Sequence, residues 1–201
     1  MGASILPVTI IDNKIYFLFG KERDIDENPG WSDFGGGTEK GESFINTAIR
    51  EGSEELTGFL GSENQIKDLL KKYGTFNIDF NSQGHSTYRV HIFPLNYDKM
   101  LAYYYNNNQK FLQERLDPKV IKESKIFEKG EIKWFSFDEI KKNRGKFRSF
   151  YQNIVNLILK EEEGINKFVK THLKSNKNKT KSNKNKTKSN KNKTKSNKNK
   201  I

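Results

Sequence analysis

The segment GGGTEKGESFINTAIREGSEELTG, Gly35 to Gly58, constrains this chain more than any other stretch. It holds five glutamates and a single arginine within 24 residues, with glycines at both ends. On a helix turning about 100° per residue, Glu51, Glu54 and Glu55 share one face about 100° wide. Ile45, Ile49, Gly52 and Leu56 form a narrow apolar stripe beside that face, suited to packing on a sheet. Carboxylates crowded in this way repel one another, and from Ile45 to Leu60 the sole cation is Arg50. A helix shaped for stability alone would interleave lysines at i+4. Hard divalent ions such as Mg2+ or Mn2+ take oxygen ligands and relieve the repulsion. The glycines ahead of the helix supply backbone amides and close approach for a ligand. Because Mg2+ is usually held by one or two carboxylates plus substrate phosphates, the pattern points to phosphate-ester or phosphoanhydride chemistry.

The flanking sequence predicts a sheet for this helix to pack on. SILPVTIID and KIYFLFGKE are apolar runs split by Asp12-Asn13, which predicts a hairpin. IDENPGWSDFGGG reads as loop and turn around one short strand. A helix to about Thr57 follows, then a second over Glu63 to Lys72, strands at TFNIDF and STYRVHIFPL, and a helix ending near Pro118. EIKWFSF predicts a strand running into a short helix at DEIKK. Phe147 to Lys160 predicts a final amphipathic helix with Phe150, Ile154, Leu157 and Ile158 on one side. This order implies an α+β domain layered as helix, sheet, helix.

Starting at Gly36, the spacing runs Gly, five residues, Glu42, seven residues, Arg50-Glu51, then Glu54-Glu55. In this the chain resembles the Nudix hydrolases, and VTIIDNKIYFLFGKE and EIKWFSFDEI are similar to that family's opening strands and late Trp-containing segment. The resemblance covers about residues 4–160 and implies a Nudix-like α/β/α sandwich with a mixed sheet between helices. Two positions depart from the family pattern. Gly52 stands where an aliphatic residue is expected, and the closing glycine, Gly58, comes one residue late, which implies a helix ending one residue late.

The resemblance implies that Glu51, Glu54 and Glu55, with the backbone carbonyl of Gly36, hold Mg2+ or Mn2+, that Glu42 ties the loop to the helix with a weaker metal role, and that Arg50 orients the carboxylates. The activity implied is hydrolysis of a pyrophosphate linkage in a nucleoside diphosphate derivative. The family often takes a general base from a later segment, and Glu128 and Glu131, shortly before Trp134, are the candidates, with Glu128 preferred. Lys21 and Arg23, leaving the second strand, are candidates for holding phosphates, and Trp31 and Phe34 for stacking on a base. His85 and His91 have no metal-ligand spacing and are assigned no role.

Composition narrows the setting. There is no cysteine, which excludes disulfides, thiolate metal sites and a cysteine nucleophile. No apolar run approaches the length of a membrane span, and the N-terminus lacks a basic segment ahead of its apolar stretch, so a cytoplasmic protein is expected. The net charge is +12. From Lys174 the chain reads KSNKNKT three times and then KSNKNKI, twelve lysines and no acid, so all of the excess lies there. Residues 1–163 are expected to form the catalytic domain, 164–173 a linker or the end of the last helix, and 174–201 a disordered tail. Such a tail suits nonspecific, salt-dependent contact with nucleic acid. Capped RNA therefore stands beside small nucleotides as a substrate, with Tyr103, Tyr104 and Tyr105 as further candidate RNA contacts. An mRNA-decapping enzyme and a non-catalytic nucleotide- or RNA-binding protein on the same scaffold are the alternatives.

Overall fold

A computed structural model describes residues 1–23, 29–82, 87–124 and 128–173. The lysine-rich repeats and His85 lie outside the described residues. Strands β1 (Gly2–Ile11) and β2 (Lys14–Glu22) form the expected hairpin, with Val8 opposite Phe17 and Ile11 opposite Lys14. Asp12 and Asn13 close it at φ +46° and +63°. Left-handed backbone at both central positions matches the twist of the strands, and Asn and Asp tolerate it better than other side chains.

The glycine-rich segment holds two short strands rather than one. β3 (Trp31–Ser32) pairs with β2, and β4 (Phe34–Gly37) pairs with β1. β5 (Phe76–Asn81) and β6 (Thr87–Pro94) are antiparallel, and β6 runs parallel to β1 with Ile5 opposite His91. β7 (Lys129–Ser136) pairs antiparallel with β2. The strand order is β3-β2-β1-β6-β5, with β4 also on β1 and β7 also on β2. The sheet is therefore mixed, and β1 lies at its centre.

Period-two alternation divides the sheet's side chains between two cores. On one face Ala3 and Ile5 of β1, Leu18 of β2 and Ile132 of β7 meet α1 (Phe44–Glu55), α2 (Glu63–Tyr73) and α3 (Leu101–Arg115). On the other, Leu6 and Val8 of β1 and Phe17 and Phe19 of β2 meet α5 (Phe137–Lys142) and α6 (Tyr151–Lys160). A short helix α4 (Pro118–Glu123) follows α3. Residues 162–173 form a further helix, α7, whose Ile165 and Val169 are fully buried in the second core. The packed unit thus extends past residue 163. The helix expected as the final one, Phe147 to Lys160, starts at Tyr151 and is followed by α7, and Phe150 is 45% exposed while Tyr151 fills the core position. Among the described residues no helix is long and apolar enough to cross a membrane.

Candidate active site

Helix α1 is started by Ser43, whose hydroxyl accepts from the Asn46 N–H, and it buries Ala48, Ile49 and Gly52 against β1. Glycine at 52 is a packing requirement. A Cβ there would fall 2.3 Å from Ile5 Cδ1 and 2.5 Å from its Cγ1. The isoleucine of β1 occupies the room that an aliphatic side chain on the helix would take. The helix does not run a residue long: it ends at Glu55 with Leu56 as its cap. Thr57 takes the left-handed position at φ +47°, ahead of Gly58 at +75°.

Arg50 organises the outer carboxylates. Its Nε and Nη2 donate to Glu42 Oε1 and Oε2, both at 3.1 Å, and Nη2 also reaches the Gly37 carbonyl at 3.1 Å. Nη1 donates to Glu51 Oε1 at 2.8 Å and lies 3.8 Å from Glu54 Oε2. Glu42 further accepts from the Thr47 hydroxyl and the Glu39 N–H. These bonds, those from Arg50 foremost, hold the Glu42 carboxyl down at about 2, while Glu42 and then Glu51 hold the Arg50 guanidinium above its ordinary value. Gly36 lies directly against Glu51, since a Cβ there would be 2.5 Å from Oε1. A side chain at position 36 would have to displace the Glu51 carboxylate.

Glu55, the carboxylate nearest the apolar stripe, turns inward and is 6% exposed. Its Oε2 accepts the Gly35 N–H at 2.8 Å, and its Oε1 lies 3.3 Å from Lys129 Nζ. Burial raises this carboxyl well above the ordinary range, against the pull of Lys129, and Glu22, Asp33 and Glu128 push the same way as burial. Lys129 Nζ also donates to Glu22 Oε1 and to Ser32 Oγ. Burial alone would lower the ammonium, but Glu55 and Glu22 carry it above the usual lysine value. Asp33, next to the loop, meets the Ser4 and Tyr88 hydroxyls, and its burial lifts it to about 6.

The expected residues separate into groups. Glu42, Arg50, Glu51 and Glu54 form one linked set beside Gly36 and Gly37. Lys21, Arg23 and Glu131 line a cavity of about 320 Å³ together with Glu22, Gln113, Ile121 and Gly130. Glu128 lies at the bend before β7, close enough to Glu55 to raise its carboxyl. Trp31 and Phe34 are not available for stacking on a base. They are 7% and 0% exposed, because strand alternation turns Trp31 onto Phe135 in one core and Phe34 into the other. Of the three tyrosines, Tyr103 and Tyr104 are more than half exposed, but Tyr105 is buried, its hydroxyl 2.9 Å from the Glu55 carbonyl and 3.0 Å from that of Lys129. Lys129, Glu22 and Ser32 were not among the expected site residues, since nothing in the run EKGEIKW separates Lys129 from the surface lysine at 133.

The oxygen donors of Glu51 and Glu54, beside the closely approaching Gly36 backbone, fit a hard divalent cation by chemistry. Among the described residues, however, no three acidic or histidine side chains are gathered into a metal-binding group, and Glu55 is turned to Lys129.

Fold and site together define a Nudix-type pyrophosphohydrolase. The family comparison matches the NUDIX domain over residues 3–157, and the chain belongs to that family. Among solved structures, a bifunctional NMN adenylyltransferase/ADP ribose pyrophosphatase from Francisella tularensis is 16% identical with a TM-score of 0.50, over 79% of this chain and 40% of that one. A C. elegans Ap4A hydrolase is 16% identical with a TM-score of 0.49, over 82% of this chain and 98% of that one. The NUDIX domain of Shewanella oneidensis NrtR, complexed with ADP ribose, is 12% identical with a TM-score of 0.44, over 81% and 85%. The comparison with curated proteins gives no match.

Proposed function

We propose that the chain hydrolyses a pyrophosphate linkage in a nucleotide-type substrate with Mg2+ or Mn2+ as cofactor. The observation that carries this reading is the single guanidinium of Arg50 shared by Glu42, Glu51 and Glu54 against the Gly36–Gly37 backbone. Glu51, Glu54 and the Gly36 carbonyl would hold the ion, which supplies Lewis-acid polarisation of the phosphates when bound. Arg50 holds the side chains of Glu51 and Glu42 by hydrogen bonds. Lys21 and Arg23 bind the phosphates or the nucleotide in the cavity that Glu131 and Gln113 also line. Glu128 takes the proton of the attacking water.

A screen of Mg2+-dependent phosphate release across nucleoside triphosphates, dinucleoside polyphosphates, nucleotide sugars and capped RNA tests this reading. Turnover of at least one substrate is expected, with Glu54→Gln losing at least about 100-fold while the fold is retained. Absence of turnover throughout would favour the non-catalytic reading. That reading loses support from the packing of Gly52 on Ile5, which makes its departure from the family pattern a compensated exchange.

Capped RNA is favoured as one substrate by the exposed rings of Tyr103, Tyr104 and Phe111 on α3, since aromatic platforms stack bases. The lysine-rich tail would add counterion release. Deleting residues 174–201 should then weaken RNA affinity and flatten its salt dependence, and should leave small-nucleotide turnover unaffected.

A further inference from the structure

Lys129 is 1% exposed, and lysine is almost never so buried unless paired. The surroundings are shaped to receive it. A Cβ on Gly20 would lie 2.8 Å from Lys129 Cδ, so the strand alongside must carry glycine for the lysine stem to pass. The ammonium meets Glu22, Glu55 and Ser32, and Arg148 Nη1 lies 2.8 Å from Glu22 Oε1. Glu22 and Glu55 thus face the cations Lys129 and Arg148. Tyr105 ties the backbones of Glu55 and Lys129 together from α3. On the outer side Glu42, Glu51 and Glu54 all reach the guanidinium of Arg50.

We propose that Lys129 is a resident cation that neutralises Glu55, so that Glu55 positions the Gly35–Gly36 loop and divalent metal is held on the Glu51 and Glu54 side. This rests on the hydrolase reading and narrows it. Both oxygens of Glu55 have protein partners, the Gly35 N–H and the Lys129 ammonium. The positive charge that an ion would bring to Glu55 is already built into β7 as the Lys129 ammonium. Lys129 is on this account a positioning residue that sets how many ions bind and where.

The test is Mn2+ binding to the full chain at neutral pH, followed by the electron paramagnetic resonance of free Mn2+. Glu54→Gln is expected to weaken binding at least about tenfold, and Glu55→Gln to leave it within about threefold. Lys129→Met frees Glu55, so binding should tighten about tenfold or gain one ion, and adding Glu55→Gln should abolish that gain. A purely structural role for Lys129 would move stability without this coupling. The proposal is overturned if Glu55→Gln weakens binding as much as Glu54→Gln, or if folded Lys129→Met binds Mn2+ as the wild type does. Should Lys129→Met fail to fold, the comparison of Glu54→Gln with Glu55→Gln decides by itself. A wild type that binds no Mn2+ at all sinks the hydrolase reading and this proposal with it, whereas a loss confined to Glu55→Gln alongside Glu54→Gln sinks only the proposal.

Discussion

Restoring an aliphatic residue at position 52 should damage this protein, although the family pattern asks for one there. Ile5 is fully buried and β-branched, so its χ1 has little freedom to yield. A new Cβ on residue 52 would stand 2.3 Å from its Cδ1, far inside van der Waals contact. Gly52→Val adds three carbons at that point. Overpacking of this kind costs about 1–3 kcal/mol, offset by about 0.4 kcal/mol of helix propensity gained over glycine. The net expectation is a loss of about 0.6–2.6 kcal/mol, or roughly 1–10 °C in Tm for a domain of this size. Ile5→Ala removes three carbons from the same place and should by itself cost about 2–5 kcal/mol through the cavity it leaves. Together the two changes conserve volume, so the double variant should lie within about 1.5 kcal/mol of wild type. Urea unfolding midpoints at constant m-value give all four corners of the cycle. A double variant as unstable as the sum of its singles would refute the exchange between helix and strand, as would a Gly52→Val chain as stable as wild type.

Arg50→Lys keeps the charge but loses the fork that grips Glu42 and reaches Glu51 and Gly37, so thermal melting should show a loss of about 2 kcal/mol, partly restored by millimolar Mn2+. Thr57→Gly relieves left-handed backbone at a threonine and removes a buried hydroxyl without a hydrogen-bond partner; melting should show a gain of about 1 kcal/mol. His91 is 4% exposed, neither ring nitrogen has a hydrogen-bond partner, and burial foremost lowers it to about 4. Its folded value is below the unfolded one, so it costs stability as pH falls from about 6.5 towards 4, by roughly 3 kcal/mol. His91→Leu should flatten the acid side of the stability profile measured by urea unfolding between pH 7 and 4. Asp33 acts oppositely over nearly the same window. Its carboxyl is raised to about 6, so it favours the folded state as pH falls from 6 towards 4, and Asp33→Asn should remove that gain and steepen the acid loss.

The sequence by itself determined the hairpin, because Asp12-Asn13 sits between two apolar runs and suits left-handed backbone. It also determined α1 and its charged face, because a 3.6-residue period places Glu51, Glu54 and Glu55 together whatever surrounds them. The wheel placed Glu55 on that charged face as a candidate metal ligand, and its burial against Lys129 came from the tertiary structure. Tertiary structure decided the rest through contacts distant in the chain. The parallel pairing of β1 with β6 joins residues about 86 apart and leaves no local trace. Trp31 and Phe34 went to the core because short strands pinned to β2 and β1 fixed which way their rings point. Lys129 is the sharpest case. Strict alternation would put it on the face of Glu131 and Lys133, but an irregularity in the β2–β7 register brings Lys129 opposite Glu22 and Glu131 opposite Lys21, with Gly130 as the extra residue. One inserted residue reverses the alternation beyond it. That turned a lysine resembling its surface neighbours towards α1, where it meets the innermost glutamate of the site.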